Sequence, residues 1–408
     1  MNNTEHLQNT SRPCVPARRS GHVACIFGDN LYIWGGYLDL PGSPFPIDRY
    51  LPPAELWVYN IEAESWKLEE TSGSIPPGTS GCSSTVIGES LYVFGGFEKN
   101  ENSNKLYCLN LHTKVWCLLE NKGDAPSPRD KSVCWAYKNT RIYVFGGFGP
   151  EPKITPCYGQ WVWDSTSSWT PEQGRGWNNH LFSYNIESEK WNEVKTTGDC
   201  PSARAAHAGA LLGNKVFIFG GRHNQCRLND LYCLNLDTLQ WSGPILCHSD
   251  TPAGRSWHTL NKVSRKHIIL YGGFDTECVP LGDCWVLDTD RMVWTQLPVP
   301  SKPRLWHSAS TTCAGGEIIT FGGCSNNILG TEENQHCNDV IHIFVTPKSL
   351  LRISLDVVVK YQRVLSKYLH HLPRSIIETL EKRMNTTINK NGPPVSSNDH
   401  RKHSCVVS

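Results

Sequence analysis

The chain has 408 residues, a formal net charge of +1 and 19% charged residues. So even a balance, with no run of Lys and Arg, excludes the basic surface that nucleic-acid binding demands, and no apolar stretch approaches the ~20 residues of a membrane-spanning helix. The polar start MNNTEHLQNTSRPC lacks the apolar core of an export signal, so the cytosol, with the nucleus as a further possibility, is the expected location.

The 17 cysteines are odd in number and form no CxxC pair. In a reducing compartment they read as free thiols, and Cys108, Cys233 and Cys284 inside apolar runs read as small buried residues. No metal-ligand spacing is present, and neither a metal nor another cofactor is expected.

In chain order, residues 1–13 form an N-terminal segment and residues 14–346 a repeat array. A glycine pair closes an apolar strand six times, at Gly35–Gly36, Gly95–Gly96, Gly146–Gly147, Gly220–Gly221, Gly272–Gly273 and Gly322–Gly323. The intervals of 60, 51, 74, 52 and 50 residues define a period near 50 with two insertions. After five of the pairs an aromatic residue is followed nine positions later by tryptophan: Trp57 and Trp66, Tyr107 and Trp116, Phe182 and Trp191, Tyr232 and Trp241, Trp285 and Trp294. Before the pairs stands Arg-x-x-His, at Arg19–His22, Arg204–His207, Arg255–His258 and Arg304–His307; it decays to Arg129–Ser132 and to Thr79–Cys82.

Each landmark has a physical use. The apolar runs are strands buried between sheets. The glycines permit positive φ and close backbone approach near an axis. The aromatics fill the wedge between neighbouring sheets. The recurring histidines read as structural hydrogen-bonding groups rather than catalysts. These landmarks resemble the kelch repeat, and the expected fold is all-β: a six-bladed kelch β-propeller followed by a short α-helical C-terminal segment.

The sixth unit lacks its tryptophan strand. Strands are expected at Ser308–Thr312, Ile318–Phe321 and Val340–Val345, with the missing one supplied by His6–Asn9 or Cys14–Ala17. Residues 347–384 then turn helical. Thr346-Pro347 is a start signal. Leu350, Ile353, Val357, Tyr361, Val364 and Tyr368 mark one face. Leu372-Pro373 interrupts it, and Ser375 to Glu378 form a capping box for a second helix ending near Met384. Residues 385–408 read as a polar, disordered tail. The final Cys405-Val-Val-Ser408 fits a prenylation box, with chance coincidence the alternative.

The loops after the glycine pairs and before the first strands share one end of the ring, where ligands bind. The third such loop is longest and carries Trp161, Trp163, Trp169 and Trp177, either walling a pocket or packing on itself. Directly after the pairs stand Tyr37, Phe97, Phe148, Arg222, Phe274 and Cys324, so Arg222 breaks the pattern; Arg227 follows five residues on. Two residues after the landmark arginine the ring reads Gly21, Gly81, Lys131, Ala206, Trp257 and Trp306. Arginine's planar fork suits a carboxylate, and aromatic walls keep water out. The alternative for Arg222 is a surface arginine paired with Asp230.

The stretches FGGRHNQCRLNDL, GRSWH, PRLWH, RGWNNH and SLLRISL resemble a family of kelch substrate receptors of cullin–RING ubiquitin ligases. These receptors read degradation signals (C-degrons) at protein C-termini, typically ending in glycine. The resemblance implies that Arg222, Arg227 and Ser256 hold the terminal carboxylate. Lys131 would take a peptide carbonyl, and Trp177, Trp257 and Trp306 would wall the pocket. GGFGPEPK departs from the family by lacking a tyrosine just after its glycine pair. Ser349, Leu350, Ser354 and Val358 fit an elongin-C box, which inserts a leucine into a partner pocket. Leu372-Pro373 resembles a cullin-selecting segment: it has the Leu-Pro of the cullin 5 type but lacks the second proline, and cullin 2 is the alternative. The implied partners are elongin B, elongin C, a cullin with its RING protein, and substrates ending in glycine. The resemblance implies no catalysis by the chain itself. A kelch scaffold binding an internal acidic segment is the competing reading. A copper oxidase would need a His–Tyr metal site and export, and neither is visible.

Overall fold

The computed structural model describes residues 14–39, 48–153, 158–165, 174–299 and 302–390. Two units emerge: the repeat array, and a helical unit made of residues 348–390 with the turn Asn60–Ser65.

The array is six antiparallel sheets. In the fourth, Ala208–Leu212, Lys215–Phe219, Leu231–Asn235 and Gln240–Trp241 pair in that order. The second and third gain a fifth, parallel strand, Ser72–Gly73 and Lys122–Gly123, from the segment that leads into each. The first strands, at Val23–Phe27, Ser83–Ile87, Val133–Tyr137, Ala208–Leu212, Thr259–Lys262 and Ser308–Thr311, each touch the next, and the last touches the first. That cycle makes the array a closed six-bladed propeller.

Aromatic plates join the blades. In the first four blades the residue before the glycine pair meets the fourth-strand tryptophan of the next blade: Trp34 with Trp116, Phe94 with Trp191, Phe145 with Trp241 and Phe219 with Trp294, at centroid distances of 5.0 to 5.4 Å. Such pairs contribute about 0.5–1.5 kcal/mol beyond their buried area. Phe321 of the sixth blade meets Trp66 of the first at 5.1 Å, so the closing junction repeats the ordinary one.

Of the two segments expected to supply the missing strand, Cys14–Ala17 is corrected. The sixth blade has three strands among the described residues, Ser308–Thr311, Glu317–Phe321 and Val340–Phe344. Cys14–Ala17 forms no strand, and His6–Asn9 lies outside the described residues. The chain start closes the ring through loops. Gly323 N–H donates to Arg19 O at 2.9 Å, Arg19 N–H to Cys337 O at 3.1 Å, and Asn338 Nδ2 to Pro16 O at 3.0 Å. His336 also links Ser20 Oγ (2.8 Å) with the Asp39 carboxylate (3.0 Å).

In the helical unit, α1 spans Leu350–Lys360, α2 spans Gln362–Leu365, and after a 3-10 turn α3 spans Arg374–Lys390. Three expectations change here. Ser349, not Thr346, caps α1, accepting from Arg352 N–H at 3.2 Å. Ser375 lies inside α3, and Glu378 pairs with Arg374 at 3.1 Å, one turn away, instead of closing a capping box. Finally, α3 runs six residues past Met384. Among the described residues, Ile61, Ala63, Leu355 and Leu380 are the unit's buried apolar residues. Buried Arg383 ties Asp356 (2.6 Å) to Glu64 of the turn (3.1 Å).

Candidate peptide-end site

The site begins with the backbone. The six positions two residues after the landmark arginine form a hydrogen-bonded cycle around the axis. Gly81 N–H donates to Gly21 O, Lys131 to Gly81, Ala206 to Lys131, Trp257 to Ala206, Trp306 to Trp257 and Gly21 to Trp306, all within 2.8–3.0 Å. All six have φ between +53° and +69°. For the four that are not glycine, this left-handed conformation costs on the order of 1–2 kcal/mol each. The strain sets side chains of different size around one opening. Glycine at 21 has a second reason: a Cβ there would lie 3.0 Å from the Trp306 ring.

The residue before each ring position pairs reciprocally with the residue after the glycine pair. This couples Ser20 with Tyr37, Asp130 with Phe148, Ala205 with Arg222 and Ser256 with Phe274. It brings the sequence-predicted residues to the same end of the propeller. Trp257 and Trp306 stack at 5.1 Å and 18°, and Phe274 and Tyr37 extend the aromatic arc on either side.

Arg222 and Arg227 face each other across a two-residue hairpin whose turn uses Asn224 at φ +52°. Arg227 is buried, donates from Nε to Ser256 Oγ at 3.1 Å, and lies 4.5 Å over the Phe274 ring. Burial pushes its pKa down from the ordinary arginine value, and nearby Arg222 adds to the push. Arg222 is half-buried and donates from Nε to Asn224 O at 2.8 Å. Among the described residues neither arginine meets a carboxylate. Asp230 is no partner for Arg222, because it takes both ends of Arg204 at 2.6 and 2.8 Å.

Lys131 reaches from the third blade to within 5.2 Å of the Trp306 ring while its ammonium contacts Asp130. Asp130 also accepts from Arg175 at 3.3 Å, and Arg175 is sandwiched between Phe97 and Phe148 at 4.7 and 4.5 Å. The sequence reading missed both residues. Asp130 was findable, since its equivalents are Ser20, Ser80, Ala205, Ser256 and Leu305 and it alone is charged. Arg175 belongs to the third-blade insertion, where no repeat copy exists for comparison. Trp177 is 2% exposed and packs behind Phe148 against Ala203 and Ala205, so it backs the wall rather than presenting a face to the opening. Trp161 and Trp163 form a small sheet with the strand of Trp177; Trp169 lies outside the described residues.

On α1, Leu350 is 83% exposed, and Ser349, Ser354, Val357 and Tyr361 are exposed beside it; Val358 is half-buried. Leu372 is half-buried and Pro373 exposed at the entrance to α3. Cys405 lies outside the described residues. Among those described, no cluster of His, Cys, Asp or Glu could hold a metal ion, and no helix is long and apolar enough to cross a membrane.

A closed ring of glycine-pair blades with a variable inner rim defines a kelch propeller, and comparison with known proteins agrees. Residues 21–258 and 171–323 match the KLHDC2/KLHL20/DRC7 Kelch-repeats domain, and the chain belongs to this kelch-repeat family. It is 41% identical to Kelch domain-containing protein 2 of Bos taurus over 90% of this chain and 91% of that one. With Kelch domain-containing protein 1 of Mus musculus it shares 38% identity, over 91% of each. Among solved structures, that titled "Structure of YjhT" aligns with TM-score 0.59 and 17% identity over 81% of this chain and 96% of that one, a likeness of fold alone.

Proposed function

We propose that the protein is the substrate-recognition subunit of a cullin–elongin–RING ubiquitin ligase and captures protein C-termini that end in glycine. The observation that carries this reading is the Arg222–Arg227 hairpin: two guanidinium groups, no protein carboxylate among the described residues to meet them, and Ser256 beside an aromatic arc. A terminal carboxylate supplies the missing charge and accepts two parallel N–H bonds from one guanidinium. Lys131 takes a peptide carbonyl. Trp257 and Trp306 flank the last residues, and glycine is preferred because a Cβ would meet the crowded rings. Kelch-repeat proteins are in general binding scaffolds, and ligation belongs to the other subunits.

The helical unit supports the second half of the reading. Leu350 inserts into elongin C, with Ser354 permitting close approach and Val358 following one turn on. Elongin B accompanies elongin C, and Leu372-Pro373 selects cullin 5 over cullin 2. The assembly works in the cytosol and directs its targets to degradation.

Titration of a glycine-ended peptide, free and amidated at its C-terminus, tests the clamp. The free form should bind at least 100-fold tighter. Equal affinity would sink the proposal and favour an internal acidic segment as ligand. For the helical unit, Leu350→Arg should abolish co-purification of elongins B and C while leaving peptide binding intact.

A further inference from the structure

The turn that follows the fifth glycine pair reads Phe274-Asp-Thr-Glu-Cys-Val279. Asp275 closes it: its carboxylate accepts from Val279 N–H at 2.8 Å, and its carbonyl from Cys278 N–H at 3.2 Å. Cys278 thereby takes φ +62°, the left-handed region that favours glycine. A cysteine in such a place brings a side chain with it. That side chain packs, beside Trp257 and Trp306, on the cluster of Phe274, Leu305 and Cys324.

The same turn holds Arg227. Thr276 Oγ1 accepts from Arg227 N–H at 3.2 Å, the guanidinium lies 4.5 Å over the Phe274 ring, and the Cys278 thiol interacts with it. Arg227 is only 8% exposed. Its Nε is met by Ser256, and among the described residues its two terminal nitrogens donate to no protein oxygen. A half-buried thiol therefore stands between the tryptophan wall and a nearly buried guanidinium whose outer nitrogens no protein oxygen meets.

Nucleophilic cysteines occupy such electropositive, partly exposed surroundings. The guanidinium pairs with an anion, and the thiol exchanges with a disulfide. A small disulfide with a carboxylate one residue from its sulfur offers both. That residue and the sulfur-bearing one span about 7 Å when extended. Arg227 and Cys278 touch each other, so one molecule reaches both. We infer that Cys278 is a modification site for small glycine-ended disulfides, for which glutathione disulfide is the probe. This rests on the carboxylate clamp of the proposed function and adds a covalent contact to it. The Cys278 thiolate attacks one sulfur, the S–S bond of the probe breaks, and the departing thiolate takes up the proton that Cys278 released. The tripeptide left on Cys278 keeps its glycine carboxylate on the arginines, and the pocket stays filled until a thiol reduces the new bond.

Mass spectrometry of the full chain treated with glutathione disulfide tests this. Cys278 should be modified at least tenfold faster than Cys117 and Cys313, which are exposed on the second and sixth blades. Esterifying the two glycine carboxylates of the probe should remove that preference. The modified protein should bind glycine-ended peptide at least 100-fold more weakly, with recovery in dithiothreitol. Cys278→Ser should make peptide affinity indifferent to the treatment. Modification of Cys278 no faster than of Cys117, or a preference that survives esterification, overturns the inference. Both of these readouts use the unaltered chain, so they decide the matter if Cys278→Ser does not fold. The free and amidated peptides judge the clamp separately, on untreated protein. A clamp that holds while Cys278 shows no preference removes this inference alone, and a clamp that fails removes both.

Discussion

Two pairs of cations stand at the open end of the propeller, and their surroundings differ. Lys131 and Arg175 share Asp130, and rings cover Arg175 on both faces. Arg222 and Arg227 share a hairpin and, among the described residues, meet no carboxylate. The landmark arginines Arg204 and Arg255 resemble the first pair, each held by an aspartate. Counting positive charge around the opening would rank all of these alike. Following where each charge is neutralised separates them: a buried cation without a counter-charge is costly unless something arrives to pair with it.

The widest separation is expected on truncation. Arg227→Ala should cost glycine-ended peptides about 2–5 kcal/mol, the range for removing one member of a desolvated charge pair. Arg222 is more exposed and better screened, so its removal should cost less. Lys131→Met should cost least, because its charge is already balanced by Asp130. Calorimetry on the three variants checks the order. A Lys131 loss equal to that of Arg227 would break the distinction between the pairs.

Acid separates the scaffold from the clamp. Burial, reinforced by Arg204 and Arg304, holds His207 and His307 at about 3. His22 and His258 are also held well below the ordinary histidine value. The unfolded chain binds protons at these residues from about pH 6.5 downward while the native ring does not. Their contribution is therefore complete above pH 6.5 and declines as pH falls toward 3, by about 2 kcal/mol each for His207 and His307 at pH 5. Guanidinium charge does not change over that range. The thermal midpoint should fall between pH 7 and pH 5, while peptide affinity per folded molecule stays constant. A midpoint that does not move would remove the buried histidines from the account.

Much of this was legible because the repeat serves as its own alignment. Arg222, Lys131, Trp257 and Trp306 stood out as departures at equivalent positions, and a hydrogen-bonded cycle of left-handed residues now explains the equivalence of the last three. Cys14–Ala17 was misjudged as the closing strand for a physical reason. A blade short of a strand suggested a borrowed one, yet Phe321 and Trp66 complete the same aromatic contact found at other junctions. Arg175 was not legible, since its place depends on how an insertion folds back between two blades. The start of α1 was misplaced because both Thr346 and Ser349 offer a capping oxygen, and only the local backbone chooses between them.

Asp130 gives the smallest effect and the sharpest use of the comparison. Its carboxylate is buried and engaged by two cations, so it balances charge near the opening rather than receiving a ligand. Asp130→Asn keeps the shape and removes the charge. Lys131 and Arg175 then lack an ion-paired carboxylate, as Arg222 and Arg227 already do among the described residues, with Asp275 acting on Arg227 only at longer range. Stability should fall by roughly 1–3 kcal/mol, the cost of leaving buried polar partners unsatisfied. Affinity for a peptide carboxylate should nevertheless rise, by about two- to fivefold at low salt, because like charges now converge on the anion in a partly desolvated site. Raising the salt to about 0.5 M should erase most of the gain through the solvent-facing portion of the field. If Asp130→Asn instead weakens binding as much as Arg222→Ala does, Asp130 holds Lys131 in its working position. The two pairs would then act as one site rather than two differently neutralised ones.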